Sequence, residues 1–164
     1  QLAIGDAIAI SLMMQKKFSK LDFKKFHPSG NLSKKLRTVE DLMFTGSKIP
    51  FVDENSKIEK VIKLINLKKL RIAIVRNRKK QTIGVFTDGD IKRTIQKNSN
   101  LKKQKIKSIM VKNPISINKN VLAENALGLM NEKKITTLCV HNDSNKKKTL
   151  GVLHIHTLLN ADIS

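Results

Sequence analysis

The side chains whose types and spacing could do chemistry fall in three stretches. In Gly84-Val85-Phe86-Thr87-Asp88-Gly89-Asp90-Ile91, a run of strand formers gives way to a helical pattern. A strand ending at a helix N-terminus offers unbonded N–H groups to a phosphate. Thr87 would donate to that phosphate, and the Asp90 carboxylate would accept two hydrogen bonds from a ribose diol. The same residues also fit a capping box, with Thr87 as N-cap, Asp90 three residues later, and carboxylates welcome in the first turn. Capping accounts for these residue types as well as binding does. In the second stretch, Gly151-Val152-Leu153-His154-Ile155-His156-Thr157, two histidines spaced by two share one side of an extended segment. Nothing nearby completes a ligand set, so we expect structural or anion-binding histidines and no metal. The third stretch is His27-Pro28-Ser29-Gly30-Asn31-Leu32, where a histidine before proline, taken alone, is a turn residue. The single cysteine, Cys139, sits in the apolar run Ile135 to Val140. It can form no internal disulfide and reads as a buried thiol in a reducing cytoplasm.

These residues must be positioned by elements that occur twice. Val39-Glu40-Asp41-Leu42-Met43 is echoed by Ile106-Lys107-Ser108-Ile109-Met110, and Ile83-Gly84-Val85 by Leu150-Gly151-Val152, both at an offset of 67. Between them, Ile58, Val61, Ile62 and Ile65 correspond at an offset of 65 to Ala123, Ala126, Leu127 and Met130, each set lying on one face of an amphipathic helix. A β-branched run follows each helix, Leu70 to Val75 and Ile135 to Val140, and then a hairpin turn, Arg76 to Gln81 and His141 to Lys148. Further helices are expected at about Asp88 to Gln96 and His156 to Asn160, with leading strands at Ile49 to Val52 and Pro114 to Ile117. Each unit reads as strand, helix, strand, strand, helix. Units this small bury only about 60% of their unfolded surface, so the two should pack together. Outside the repeat, Leu2, Ile4, Ala7, Ile8, Ile10, Ser11 and Met14 are apolar or small nearly all round a helix that we expect to be buried in a larger body. Ser19-Lys20-Leu21-Asp22 reads as a short N-capped helix.

Composition narrows the classes. The chain has 164 residues, 40% apolar, with seven Gly and three Pro, which excludes a disordered tail and a fibrous protein. No apolar run reaches the roughly 20 residues of a membrane helix. The opening stretch lacks the basic leader of a signal peptide and carries Asp6; we read the chain as the end of a longer protein, cut inside a helix. Lys and Arg number 33 against 13 Asp and Glu, a formal charge of +20, which attracts phosphate backbones. The cations are mostly Lys, however, and the abundance of Lys, Asn and Ile is what A- and T-rich codons encode whatever the function. With no Trp or Tyr and six Phe, stacking platforms for single strands are nearly absent. No dedicated nucleic-acid partner is expected.

Two such units in tandem, each ending in a glycine, two apolar residues and Thr87 or His154 before a helix, resemble a pair of CBS domains, or Bateman module, over about Val39 to Ser164. The resemblance implies an α/β (α+β) fold with units at 39–105 and 106–164 and a cleft between them for an adenosyl compound or other nucleotide. Gly84, Thr87, Asp88, Asp90 and His154 are the binding residues it points to. Thr157 stands where Asp90 does in the first unit, so the second lacks a ribose clamp. Gly5 to Ala9, Asp22-Phe23 and His27-Pro28-x-Gly30-x-Leu32, joined to such a pair, further resemble the arabinose 5-phosphate isomerases. Those enzymes place a sugar-isomerase (SIS) domain first, so residues 1–38 would be the last helix, loop and linker of that domain. Their HPGG loop supplies an active-site histidine, here His27, with Ser29 replacing one glycine. What this implies is an aldose-ketose isomerase converting ribulose 5-phosphate to arabinose 5-phosphate for the Kdo sugar of Gram-negative lipopolysaccharide. Proton transfer through an enediol suits an imidazole near neutrality. The remaining catalytic groups would lie before Gln1, leaving this portion inactive alone. By family analogy the expected effector is CMP-Kdo, with AMP or ATP as runner-up. No cofactor is required, and the expected assembly is a dimer or tetramer. The alternative is a nucleotide-sensing CBS pair of an unrelated protein.

Overall fold

The computed structural model describes residues 2–18, 22, 36–97 and 104–163. Gln1–Arg37 and Thr38–Ser164 are separate compact units. In the first, helix α1 (Leu2–Gln15) has no buried residue. Leu2, Ile4, Ile8, Ile10 and Met14 are all exposed, so the apolar character expected all round this helix is present and left open to solvent. Most of the Ser19 to Asp22 segment and the His27 loop lie outside the described residues.

The second unit is built from two halves. In the first, strand β2 (Phe51–Asp53), helix α3 (Ile58–Lys68), strands β3 (Ile72–Arg76) and β4 (Thr82–Thr87) and helix α4 (Asp88–Lys97) follow in order. In the second come β6 (Ser116–Asn118), α5 (Ala123–Lys133), β7 (Thr137–His141), β8 (Gly151–His154) and α6 (Ile155–Leu159). Each leading strand pairs in parallel with the strand after its helix, Phe51 opposite Ile74 and Ser116 opposite Cys139, and each later pair is an antiparallel hairpin. This is the expected strand, helix, strand, strand, helix order. Both leading strands begin two residues later than the sequence suggests. The Ile49 N–H is spent on a tight turn to the Gly46 carbonyl at 3.2 Å, and Pro50 and Pro114 have no N–H to give a ladder.

Three short elements before and between the halves do what the repeat alone does not reveal. Helix α2 (Val39–Leu42) and strand β1 (Phe44–Thr45) precede the first half, yet β1 pairs with β8, Phe44 opposite Val152. Strand β5 (Val111–Lys112) precedes the second half, yet pairs with β4, Val85 opposite Val111. The two sheets therefore run β1-β8-β7-β6 and β2-β3-β4-β5. The cores follow the same exchange. Val39 lies in the second half's core with Ala126, Met130, Leu138 and Leu153, while Ile106 lies in the first half's with Val61, Ile65, Val75 and Phe86. A third cluster joins the halves through Ile49, Leu70, Ile72 and Ile74 on one side and Cys139 and Val152 on the other. Strand β3 is buried on both faces, Ala73 and Val75 toward one core and Ile72 and Ile74 toward the other, which is why it reads as an unbroken apolar run.

The repeated glycines follow from this exchange. A Cβ on Gly84 would stand 2.6 Å from Met110 Sδ and 2.8 Å from the Val111 carbonyl oxygen. On Gly151 it would collide with Met43 Sδ and come within 3.1 Å of the Phe44 carbonyl oxygen. Each exchanged arm thus presses its methionine against the glycine of the other half.

Candidate functional site

Where β4 passes into α4, the two halves enclose a cleft of about 970 Å3. Ile62, Ile72, Val85 and Ile91 line it from the first half and Pro114, Ile115 and Ile135 from the second, making apolar walls from both sides. Thr87, Asp88, Gly89 and Asp90 form one end, and the cations of Arg71, Lys92, Arg93 and Lys134 surround it. Lys134 is placed by the end of α5, where its φ of 53° is the left-handed terminus of that helix, matched by Lys69 at 56° after α3.

At the helix start, the Thr87 N–H and hydroxyl both donate to Asp90 Oδ2, at 2.9 and 2.7 Å. Arg93, one turn on, ion-pairs with Asp90 Oδ1. The Asp90 side chain is only 7% exposed while that of Arg93 is 66% exposed. The carboxylate is thus already satisfied locally, and the guanidinium that satisfies it is the exposed partner at the cleft edge. The expected capping box and the expected binding residues are one set of atoms. A capping box of the same kind at Thr38 and Asp41, with 2.6 and 2.8 Å bonds to Asp41 Oδ2, lines neither of the two cavities described here. The Thr-x-x-Asp spacing alone therefore signals a cap; what distinguishes Thr87 and Asp90 is burial, Arg93 and the facing wall.

Thr87, Asp88 and Asp90 come together as the sequence leads one to expect. Gly84 does not line the cleft, its bareness being required by Met110. His154 occupies the position equivalent to Thr87 in the other half and is buried. Its Nδ1 accepts the His156 N–H at 3.2 Å, and its ring lies 5.1 Å from that of His156. With Nδ1 accepting, the proton is on Nε2, which has no partner among the described residues. Burial holds the His154 pKa below the usual histidine range, and the nearby His156 and Arg71 push it the same way. Thr157, in place of a carboxylate, makes no ion pair here, so the two halves offer different chemistry at equivalent positions. Among the described residues, no three His, Cys, Asp or Glu side chains gather as metal ligands. Burial also pushes the Cys139 thiol up to about 12, against a smaller opposing effect of a Thr149 hydrogen bond, which keeps it protonated and inert.

Arg71, Arg93 and Lys134 escaped the sequence reading. Arg93 had a signal, the i,i+3 spacing from Asp90 on a helix. Arg71 is brought beside Asp88 by the β3–β4 hairpin, with Ile72 opposite Thr87; Lys134 had no signal, because its placement depends on how the halves face each other.

Comparison with known proteins locates this arrangement. The chain is 37% identical over 163 residues to the arabinose 5-phosphate isomerase KdsD of Francisella tularensis and 34% identical to that of Yersinia pestis. In each case it covers 99% of this chain and 49% of the relative, so the chain spans about half the length of these curated proteins. Among solved structures, a CBS-domain protein from Pyrobaculum aerophilum complexed with AMP superposes with a TM-score of 0.66, at 20% identity, over 74% of this chain and 90% of that one. The CBS domain model matches residues 39–97 and again 106–164. Two matched copies covering most of the sequence, folded around one cleft, establish that the chain belongs to the CBS domain family.

Proposed function

We propose that this chain is the regulatory CBS pair of a D-arabinose 5-phosphate isomerase and that its cleft binds a nucleotide or nucleotide-sugar effector. The observation that carries the binding reading is the pairing of apolar walls from both halves with the Thr87, Asp90 and Arg93 end. A base slides between Ile72, Val85 and Ile135, and the ribose reaches Asp90. Arg93 swings off Asp90 to meet the phosphate, exchanging one charge-assisted bond for another. CMP-Kdo is the favoured effector, as the activated product of the pathway. The runner-up is AMP or ATP, a reading favoured by the AMP bound in the Pyrobaculum relative.

Calorimetry on the chain with CMP-Kdo, AMP and ATP tests this. Binding of one of them at or below millimolar concentration is expected, at least tenfold weaker in Asp90→Ala. Arg93→Gln should weaken a phosphorylated nucleotide far more than its nucleoside. Absence of binding, or an unchanged affinity in Asp90→Ala, removes the site.

The isomerase reading rests on similarity running through nearly the whole chain rather than the CBS pair alone. It makes His27 the proton-transferring residue of a catalytic domain completed by the rest of the parent, a cytoplasmic homo-oligomer acting on a sugar phosphate. His27→Ala in the full-length parent should abolish most turnover and leave the fold intact; full activity would exclude it from the mechanism.

A further inference from the structure

A second cavity, of about 760 Å3, lies on the other side of the Asn113-Pro114 segment from the nucleotide cleft and has a different character. Its cations are Lys107, Lys112, Lys146 and Lys147, and its single carboxylate is Glu54. Glu54 is taken by Lys107, whose Nζ lies 2.5 Å from Oε2. Lys112, Lys146 and Lys147 form no ion pair among the described residues. Four lysines therefore line one concavity, with one of them compensated. A concave, cation-lined surface with low-dielectric walls focuses the field and concentrates anions.

The lysines are not a loose surface run. They come from three separate segments, and the loop carrying Lys146 and Lys147 is tied down across the halves. The Thr82 N–H donates to the Lys147 carbonyl at 2.8 Å, and the hydroxyls of Thr82 and Thr149 bond each other at 2.7 Å. These two threonines are equivalent in the repeat, so the cavity floor sits where the halves meet. The Thr149 hydroxyl is bonded to the Cys139 thiol as well, which fixes this floor without spending any of the lysines. Its lining mixes the amides of Asn77, Gln81 and Asn113 with Ile83, Met110 and Pro114, and is less apolar than that of the first cleft.

We infer that this cavity is a binding site for a compact, multiply charged phosphate compound, held by Lys112, Lys146 and Lys147 above the floor that Thr82 and Thr149 form. Its size falls within the range of about 300–1,000 Å3 that encloses small ligands. Discrimination should follow charge, because lysines recognise phosphate as point charges. A ligand here bridges the two halves at the hairpin ends and biases how they close around the first cleft.

Calorimetry of the 164-residue chain with inorganic tripolyphosphate, and with sulfate as the divalent control, tests this. Tripolyphosphate is expected to bind at least tenfold tighter than sulfate with one ion per chain, and tenfold or more weaker in the double variant Lys112→Gln, Lys146→Gln. The double variant Lys60→Gln, Lys63→Gln, which removes the same charge from the exposed face of α3, should bind as the parent does. Equal losses in both double variants mean a diffuse cationic surface and overturn the site. So does tripolyphosphate binding that Thr87→Ala abolishes or AMP displaces, since the ion is then in the nucleotide cleft. Failure of CMP-Kdo, AMP and ATP all to bind, with tripolyphosphate retained, defeats only the nucleotide reading.

Discussion

The two halves of the CBS pair share a fold and differ where the chemistry is. In the first, β4 ends in Thr87 and α4 opens with a carboxylate that is buried, capped and paired to Arg93. In the second, β8 ends in His154 and the equivalent helix carries His156 and Thr157, with no acid in its first turn. Duplication preserved what packing requires: the glycines at 84 and 151, the methionines at 110 and 43 that press on them, and the buried aliphatic positions. It left the strand-to-helix junctions free to diverge. One junction carries a buried, paired carboxylate; the other carries a buried imidazole held toward its neutral form.

The largest test asks whether the halves are separable at all. Phe86 and Leu153 occupy equivalent positions and are both fully buried. Truncating either to alanine should cost about 3–5 kcal/mol. Because each core contains a residue from the other half's arm, both variants should melt in one transition, at a lower temperature than the parent, by calorimetry. Two resolved transitions would mean that the arm exchange does not couple the halves.

A smaller effect should separate the glycines. Gly84→Ala meets the backbone oxygen of Val111 at 2.8 Å, whereas Gly151→Ala meets that of Phe44 at 3.1 Å. In both, a flexible methionine end can give way, but backbone cannot. Overpacking of this kind costs about 1–3 kcal/mol, and denaturant melts should place Gly84→Ala toward the top of that range and Gly151→Ala toward the bottom. The reverse order would mean that displacing Met43 costs more than straining the backbone.

The caps offer a comparison in which stability and function should part. Thr38→Ala and Thr87→Ala each remove a hydroxyl bonded to an aspartate three residues on, worth about 1 kcal/mol in either place. Only Thr87→Ala should also weaken the nucleotide. Equal affinities in the two variants would reduce Thr87 to a cap.

The fold was legible in the sequence because it is duplicated. Two copies of a weak pattern, at offsets of 67 and 65, outweigh the ambiguity of either alone. The exchange of arms was not legible, because Val39 and Ile106 are apolar in either packing and short paired segments such as Phe44–Thr45 carry no periodicity. The site was half legible. Thr87, Asp88 and Asp90 are local to one junction, while Arg71 arrives by hairpin pairing and Lys134 through the facing of the halves, and Gly84 drew attention for a reason that proves to be packing.

The finest test concerns the junction that diverged. His154 is buried beside His156 and Arg71, with no carboxylate bonded to its ring, and its pKa is held below the ordinary value of about 6.5. The folded state therefore binds fewer protons than the unfolded chain between the lowered value and about 6.5, and stability rises with pH through that window. The contribution is fully present above about 6.5 and is lost as pH falls through the folded value. Melting temperature should accordingly drop between pH 7.5 and pH 5, and His154→Asn should flatten that dependence while lowering stability at the higher pH. The first half has threonine at the equivalent position, so Thr87→Ala should leave the slope as it is. A slope unchanged in His154→Asn would leave the buried imidazole of the second junction with a packing role only.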